Sequence, residues 1–345
     1  MLSTELIRDA GALDALEEPW WDLWRRSDTA TPFQSPAWLL PWWRHFHPGE
    51  LHALAAWDGG RLVGLAPFYR EEGPLGRRLL PVGISLSDYH DVLLDPACAR
   101  EAGAALVEGM AREAGWDAWE LEDLPPGAAA LSLPVPDGCE ELWVEHQSAC
   151  PVLRLPEGAQ DLLAALSSKK RRSLALARNR AARRGGAAFE RAGAGDVPAF
   201  LDALLGLHGA RWRSRGEEGL AADERVSRFQ RDAAPRLLAA GLLRPCTLRI
   251  GGRLAAAYLG LVHRGRAYAY FTGFDPEFSF ESPGALIFAH AWQDAFEEGV
   301  REFHLLRGQE PYKYGWGAED RWNRKRTFRR VGARQGADAL GAVAG

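Results

Sequence analysis

The stretch that decides the fold runs from Ala267 to Gly317 and reads AYAYFTGFDPEFSFESPGALIFAHAWQDAFEEGVREFHLLRGQEPYKYGWG. Its pattern predicts a strand that ends at the turn Asp275-Pro276, a loop, and a helix that begins at Ser282-Pro283-Gly284. A short strand over Glu302–Leu306 follows, and a Gly-Gln-Glu-Pro turn leads into Tyr312-Lys313-Tyr314. A strand, a helix and another strand in this order indicate a mixed α/β domain.

The predicted helix start carries the chemistry of this stretch. Serine is a preferred N-cap, proline suits the first helical position, and the glycine after it lets another molecule approach the backbone. A helix N-terminus offers N–H groups and the positive end of the helix dipole, so it suits a phosphate or pyrophosphate. A capped helix that binds nothing is the simpler interpretation, and the motif alone does not decide between them.

Composition sets limits on the class of protein. The chain has 345 residues, of which 47% are hydrophobic and 26% charged, and this is typical of a folded protein with room for two domains. The net charge of −4 implies no overall attraction to nucleic acid or anionic lipid. Four scattered cysteines argue against a zinc site and a disulfide framework. We see neither a signal peptide nor an apolar membrane span, and we expect a cytoplasmic protein.

The two halves of the chain repeat one another. LHALAAWDGGRLVGLAPF in the first half resembles PCTLRIGGRLAAAYLGLV in the second, and each predicts two strands joined by a glycine turn. Asp95-Pro96 precedes a helix as Asp275-Pro276 does, and the helices end at Gly115 and Gly299 before an alternating strand. We therefore predict two mixed α/β domains of one design, each with a mostly antiparallel central sheet flanked by helices.

The predicted domain boundaries are 1–147, 148–332 and a loose tail over 333–345. The first copy lacks the Ser-Pro helix start and has nothing like Tyr312-Lys313 after its last strand. A site for a phosphorylated ligand is therefore expected in the second domain only. Six of the 14 tryptophans fall between Trp20 and Trp43, and we interpret them as an aromatic core rather than a ligand platform.

The order of elements in the second half resembles the GNAT acyltransferase fold, and more specifically the BioF2/CelD-like branch, whose members pair two such domains as the Fem peptidyltransferases do. The motifs that carry this resemblance are Leu207-His208-Gly209-Ala210-Arg211-Trp212, Gly273-Phe274-Asp275-Pro276, Ser282-Pro283-Gly284, Gly308-Gln309-Glu310 and Tyr312-Lys313, with Phe33-Gln34-Ser35-Pro36, Trp38, Ser87-Asp88-Tyr89 and Asp91 in the first half. One departure is that the pyrophosphate turn, Glu281-Ser282-Pro283-Gly284-Ala285, lacks the usual basic first residue and one glycine.

The resemblance implies direct transfer of an acyl group, with acetyl-CoA or another acyl-CoA as donor and a small metabolite, sugar or polysaccharide precursor as acceptor. The residues that it would assign to the donor are Phe271, Thr272, Gly273, Ser282, Pro283, Gly284 and Ala285. Catalytic candidates are Tyr312 as acid, Lys313 as charge stabiliser, and Asp275, His208 or Glu310 as base, with a water chain as a competitor. The candidates for acceptor contact are Tyr89, Asp91, Arg211, Trp212 and Arg307.

Each of these candidates also has a structural interpretation. An aspartate before proline commonly makes only a local hydrogen bond to the backbone, which would account for Asp275. His208 could be a buried histidine of the core, and Glu310 could pair with Arg307. The basic run from Lys169 to Arg184 could be a solvated helix face, a cradle for an anionic acceptor or CoA phosphate, or a tRNA-contacting patch.

Two other functions remain open from the sequence. One is an aminoacyl-tRNA-dependent transferase of the Fem type, the only one of these functions in which a nucleic acid is a partner. The other is a catalytically silent GNAT-fold subunit that serves in binding. We expect no metal, because no His, Asp and Glu residues have ligand spacing. A monomer or homodimer is expected.

Overall fold

A computed structural model describes residues 2–155, 162–213, 219 and 222–333, with the side chains of residues 211–213 left out of that description. The chain divides into two compact units. The first consists of the residues up to Ser148 together with the segment from Trp322 onward, and the second runs from Ala149 to Arg321. The second unit is therefore continuous in sequence, whereas the first is built from two separate segments.

The helices of the first unit are Ala10–Ala15 (α1), Glu17–Arg26 (α2), Pro36–Phe46 (α3) and Ala99–Arg112 (α4). Its strands up to Leu124 are Ser3–Ile7 (β1), Glu50–Leu51 (β2), Ala53–Asp58 (β3), Arg61–Ala66 (β4), Phe68–Gly73 (β5), Gly76–Pro81 (β6), Leu93–Leu94 (β7) and Ala118–Leu124 (β8). The strand Cys139–Arg154 (β9) then carries the chain into the second unit.

The helices of the second unit are Ser168–Arg183 (α5), Val197–Arg213 (α6), Glu224–Ala239 (α7), Pro283–Glu297 (α8) and Pro311–Tyr314 (α9). Its strands are Ala187–Arg191 (β10), Leu243–Ile250 (β11), Arg253–His263 (β12), Arg266–Phe274 (β13) and Glu302–His304 (β14). The strand Glu319–Arg330 (β15) returns to the first unit, because it pairs antiparallel with β8. The sequence analysis had grouped this segment with the second domain.

Two sheets organise the first unit. One has the strand order β1-β3-β4-β7, and the other has the order β9-β15-β8-β6-β5-β2. The tryptophan-rich helices α2 and α3 contribute to its interior, as predicted: Trp20, Trp24, Trp38, Trp42 and Trp43 are all buried. Proline at the first position of α3 and the preceding Thr31–Gln34 capping box fix where this helical segment begins.

The second unit has the strand order β10-β11-β12-β13-β14, with β14 also paired to residues Val152–Arg154 of β9. Helices cover both faces of this sheet. A Cβ on Gly273 would meet α6, whereas the ring of the next residue, Phe274, meets Gly284 of α8. Successive residues of a strand point to opposite faces, so α6 and α8 lie on opposite sides of β13. The helix α5 packs against α8.

Both units contain the elements of the predicted repeat. The hairpin glycines adopt left-handed backbone, with φ of 57° at Gly59 and 56° at Gly251. Asp95 and Asp275 each cap a short 3₁₀ helix by accepting a backbone N–H two residues further on. Each unit also pairs two strands in parallel after its long helix, β6 with β8 and β13 with β14. The mixed α/β architecture with helix-flanked antiparallel sheets is confirmed.

Several predicted elements differ from the structure. The segment from Tyr89 to Leu94 forms a strand only at Leu93–Leu94, because the Asp91 carboxylate accepts backbone N–H groups from Val92, Ala129 and Ala130 and so holds a turn. Residues 141–154 lie within a single long strand, β9. The loop after Asp275 is a 3₁₀ helix, Pro276–Glu281. The strands β1 and β15 were not predicted.

Candidate functional site

The parallel strands β13 and β14 pair over a short distance and then diverge. Their pairing joins Arg266–Tyr268 to Glu302–His304. The strand β13 continues to Phe274, whereas the chain after His304 turns toward β9, where the Leu305 N–H donates to the Pro151 carbonyl at 2.8 Å. Among the described residues, β13 has no strand partner on this side beyond Tyr268. The edge of β13 over Ala269–Phe274 therefore has no neighbouring strand on this side in the described part of the chain, and the region beside this edge is the cleft region.

One wall of this cleft region is fixed by the close approach of α6 to β13. An ideal Cβ on Gly273 would lie 2.6 Å from the backbone nitrogen of His208, so only glycine fits there. The His208 ring stacks on Phe271 at a centroid distance of 4.2 Å. Its Nδ1 lies 3.3 Å from the Thr272 carbonyl, and the side chain is buried. The structure thus brings His208 together with three of the predicted donor residues.

Asp275 makes the local hydrogen bond that its structural interpretation predicts. Its carboxylate accepts the backbone N–H of Glu277 at 2.9 Å and caps the 3₁₀ helix Pro276–Glu281. Asp95 does the same with the N–H of Ala97 at 3.0 Å in the first unit. This shared geometry accounts for both aspartates without a catalytic role.

The start of α8 differs from the predicted capped helix. Ser282 stands at the predicted N-cap position, but it has a left-handed backbone (φ 54°, ψ 56°) and its side chain makes no capping hydrogen bond. Its carbonyl accepts the N–H groups of Ala285 and Leu286 at 3.0 and 3.2 Å. Proline at position 283 has no N–H. Only Gly284 keeps a first-turn N–H for which the described residues offer no acceptor.

The turn before α8 is rich in carboxylates that are already paired. Glu277 contacts Arg184 at 2.8 Å and Arg253 at 2.6 Å, and these hydrogen bonds lower the pKa of its carboxyl. Glu281 is buried and contacts Arg184 at 3.0 Å. The Arg184 guanidinium also lies 4.2 Å from the Phe278 ring centroid. Two arginines that lie outside the turn, Arg184 and Arg253, therefore stabilise it through ion pairs.

Lys313 is buried and bound to backbone oxygen atoms. Its Nζ donates to the carbonyls of Leu306, Arg307 and Gly308 at 3.1, 2.7 and 2.9 Å, and it lies 2.9 Å from Oε2 of Glu310. Leu306 and Gly308 have left-handed backbone, with φ of 61° and 106°. The ammonium therefore holds a tightly turned loop together. Its hydrogen atoms are used within the protein, which argues against the predicted role as an oxyanion donor.

The neighbours of Lys313 are more exposed. Tyr312 has 54% of its surface accessible and precedes Lys313 in the short helix α9. Tyr314 donates its hydroxyl to Asp320 at 2.8 Å. Glu310 pairs with Lys313 and is the N-cap residue of α9. The backbone carbonyl of Arg307 belongs to the set that Lys313 binds.

A second lysine near this loop was missed by the sequence analysis. Lys170 of α5 places its ammonium 3.7 Å from the ring centroid of Trp316. Burial lowers its pKa to about 8. Trp316 in turn packs against Phe288 and Trp292 of α8, at 4.4 and 5.9 Å. The sequence signal was only the basic run, which does not distinguish an inward lysine from its exposed neighbours.

The predicted acceptor residues of the first unit lie in its interior. Tyr89 is buried, its ring contacts Phe33, and its carbonyl accepts the side chain of Gln34 at 2.7 Å. Asp91 is buried and accepts Thr29 Oγ1 at 2.9 Å in addition to three backbone N–H groups. Burial raises its pKa to about 6. Both residues therefore serve the packing of the unit. The side chains of Arg211 and Trp212 lie outside the described residues.

The strand order, the diverging parallel pair and the helix that follows it define the GNAT acyltransferase fold. Residues 168–314 match the model of a family described as an acetyltransferase (GNAT) domain. No curated protein sequence matches the chain. The family match and the fold support an acyltransferase.

Solved structures with this fold align over nearly the whole chain. FemX is 12% identical, covers 94% of this chain and 96% of its own, and has a TM-score of 0.61. The L-PGS of Bacillus licheniformis is 13% identical over 91% of each chain, with a TM-score of 0.60. The C-terminal domain of a putative lysylphosphatidylglycerol synthetase from Agrobacterium fabrum is 15% identical over 93% of this chain and 92% of its own, with a TM-score of 0.56. At such identities the likeness concerns the fold.

The described residues provide neither a cluster of metal ligands nor a membrane-spanning helix. No group of three or more His, Cys, Asp or Glu side chains in residues 2–155, 162–213 and 222–333 could hold a metal ion. No helix in the same ranges is both long enough and apolar enough to cross a bilayer.

Proposed function

We propose that this protein transfers an acyl group from an acyl-CoA, in the simplest case acetyl-CoA, to an amine or hydroxyl of a small metabolite, sugar or polysaccharide precursor. The observation that carries the proposal is the divergence of β13 from β14 after Tyr268 and His304. It leaves a strand edge beside which an acyl group can lie in extended conformation, next to the start of α8. We retain the BioF2/CelD-like branch, a cytoplasmic location and a monomer or homodimer as parts of this proposal.

The chemistry requires one bond to form and one to break. The acceptor nitrogen or oxygen attacks the thioester carbonyl carbon, and negative charge collects on the carbonyl oxygen. Backbone N–H groups of β13 beyond Tyr268 are the proposed donors to that oxygen, because a preorganised donor costs no reorganisation during the reaction. When the intermediate collapses, the C–S bond breaks and the sulfur takes a proton to leave as CoA. The acceptor's own proton passes to solvent.

Tyr312 is the proposed proton donor to the leaving sulfur. It is an exposed member of the turn that Lys313 fixes, and its phenol O–H is a group that can donate a proton to a departing thiolate. Lys313 and His208 are proposed as positioning residues, the first for the turn and the second for Thr272. Arg307 is retained as the proposed contact for the acceptor.

The test measures CoA release with a thiol reagent while amine and sugar acceptors are varied. Tyr312→Phe is expected to lower kcat by about 10²–10³ and to leave the KM for acetyl-CoA nearly unchanged, because general-acid catalysis is worth roughly that factor. Tyr314→Phe is the matched control, since it removes a hydroxyl two residues away that already binds Asp320. Equal losses in both variants, or none in either, would contradict the role of Tyr312.

An aminoacyl-tRNA donor is the second candidate, and the start of α8 favours it. A CoA pyrophosphate would use the N–H groups at the start of α8. Within the described residues these groups donate inside the turn, except the N–H of Gly284. Among the solved structures with this fold, one is FemX, one is the C-terminal domain of a putative lysylphosphatidylglycerol synthetase and one is called L-PGS. Thermal shift separates the donors: acetyl-CoA should raise the melting temperature. If only charged tRNA does so, the second candidate replaces the first.

A further inference from the structure

The helix α5 is the most strongly charged element of the second unit. Its sequence, SKKRRSLALARNRAAR, contains no acidic residue. Its cations are Lys169, Lys170, Arg171, Arg172, Arg178, Arg180 and Arg183. Leu174, Ala177 and Ala181 are buried against the unit, and Lys170 turns inward over Trp316. The remaining cations therefore point outward or to the sides of the helix.

In their contacts within the described residues, these cations differ from several other arginines of the second unit. Arg184, Arg191, Arg244 and Arg253 each lie within 3 Å of a carboxylate oxygen. For the cations of α5, no carboxylate of the described residues lies within ion-pair distance. Arg171 donates to the backbone carbonyls of Ala164 and Leu166, and Arg180 donates to the carbonyl of Phe280. The outward face of α5 thus carries a positive field that the net charge of −4 conceals.

Two large apolar side chains are exposed on the same surface. Leu176 is 48% exposed and lies one turn after Arg172 and two turns before Arg183, so the three form one stripe. Phe280 is 65% exposed, and the Arg180 guanidinium lies 3.9 Å from its ring centroid. Arg180 is also one turn from Leu176. Apolar and cationic groups therefore alternate across this face.

We propose that the outward face of α5, together with Phe280, docks on an anionic lipid surface. Cations at the headgroup level and a few apolar side chains at the acyl boundary are what an interfacial helix requires. A nucleic acid would use the cations but would gain nothing from Leu176. A small anion needs donors that converge on one point, whereas the cations of α5 are spread along about 24 Å of helix. The docking is independent of the acyl donor and does not rest on the proposed function.

The test is co-sedimentation of the full-length protein with vesicles. Binding is expected with vesicles that contain phosphatidylglycerol and not with phosphatidylcholine alone, and it should weaken as salt is added. Arg172→Glu should lower the partition coefficient about tenfold, because each basic residue near an anionic surface contributes roughly fivefold and the new carboxylate is repelled. Arg100→Glu is the matched control, since Arg100 is an exposed arginine of the first unit with the same charge change.

Leu176→Gln separates a lipid surface from a nucleic acid. It leaves every charge in place, so it should reduce vesicle binding several-fold and leave the retardation of tRNA in a gel unchanged. The proposal is overturned if phosphatidylglycerol vesicles do not retain the protein at low salt, or if Arg172→Glu and Arg100→Glu reduce binding equally. Retention of tRNA alone, abolished by Arg172→Glu, would assign the face to nucleic acid instead.

Discussion

The clearest prediction concerns Lys313, whose position indicates a structural role where the sequence suggested a catalytic one. The substitution is Lys313→Met, which keeps the length of the side chain and removes its charge. The protein then loses the hydrogen bonds to the carbonyls of Leu306, Arg307 and Gly308 and the contact with Glu310. The three carbonyl oxygens would be left in a buried pocket without this donor.

The magnitude follows from these contacts. A hydrogen bond to a charged group contributes about 1.5–3 kcal/mol, and the sum is reduced by the cost of burying the ammonium. Removal of one partner from a buried charged network typically costs about 3–5 kcal/mol. The left-handed backbone of Leu306 adds about 1 kcal/mol or more of strain, which Lys313 helps to hold. We therefore expect a local destabilisation of about 3–5 kcal/mol.

Amide hydrogen exchange read by mass spectrometry measures this loss where it occurs. Peptides that span residues 303–317 should exchange at least about a hundredfold faster in Lys313→Met, because each factor of ten corresponds to about 1.4 kcal/mol of opening free energy. Lys169→Met is the matched control and should leave these peptides unchanged, since Lys169 is exposed. If Lys313→Met kept normal exchange but lost activity, Lys313 would act on the substrate and our reasoning would be refuted.

Two further substitutions test the packing beside the cleft and the inward lysine. Gly273→Ala should destabilise the second unit by about 1–3 kcal/mol, because its Cβ would lie 2.6 Å from the His208 nitrogen. The control Gly206→Ala in α6 places a Cβ that meets nothing within 4 Å, so it should stabilise by up to about 1 kcal/mol. Urea unfolding of both variants measures the change in stability, and equal effects would contradict the close approach of α6. Lys170→Met should raise the urea midpoint at neutral pH, because burial lowers the pKa of Lys170 in the folded protein to about 8. The cost of the buried charge is fully present below that pH and disappears above the ordinary pKa of lysine. If the gain in urea midpoint does not shrink as the pH rises between these two pKa values, the buried charge of Lys170 is not its cause.

The sequence predicted the parts of the fold that depend on local pattern. The hairpin at Gly251-Gly252 and the helix after Pro283 follow from turn chemistry and from a long apolar run, and both lie where they were expected. The strand β15 escaped prediction because eight of the twelve residues in its sequence, EDRWNRKRTFRR, are charged. Its charges are neutralised by acidic partners on other strands, as when Lys325 binds Glu120 and Glu122. A pattern of hydrophobicity does not reveal such pairing.

The candidate site was predicted less well, because its key contacts involve the backbone. The sequence identified Lys313 but not its partners, since three of them are carbonyl oxygens that every residue possesses. It placed Ser282 at the N-cap of α8, which the structure bears out, but not the left-handed backbone at that residue or the missing side-chain hydrogen bond. Tyr89 and Asp91 were predicted to contact the acceptor, but tertiary packing buries both. Residue type alone does not determine burial.

The division of the first unit between the two ends of the described chain has a consequence for biosynthesis. The second unit is encoded without interruption, so it can complete its folding as soon as Arg321 has left the ribosome. The first unit must wait, because β15 lies between β9 and β8 in its sheet and is made last. Until that strand arrives, β8 and β9 present open edges that could pair with other chains. The nascent protein is therefore most vulnerable to misassembly during the synthesis of its second unit.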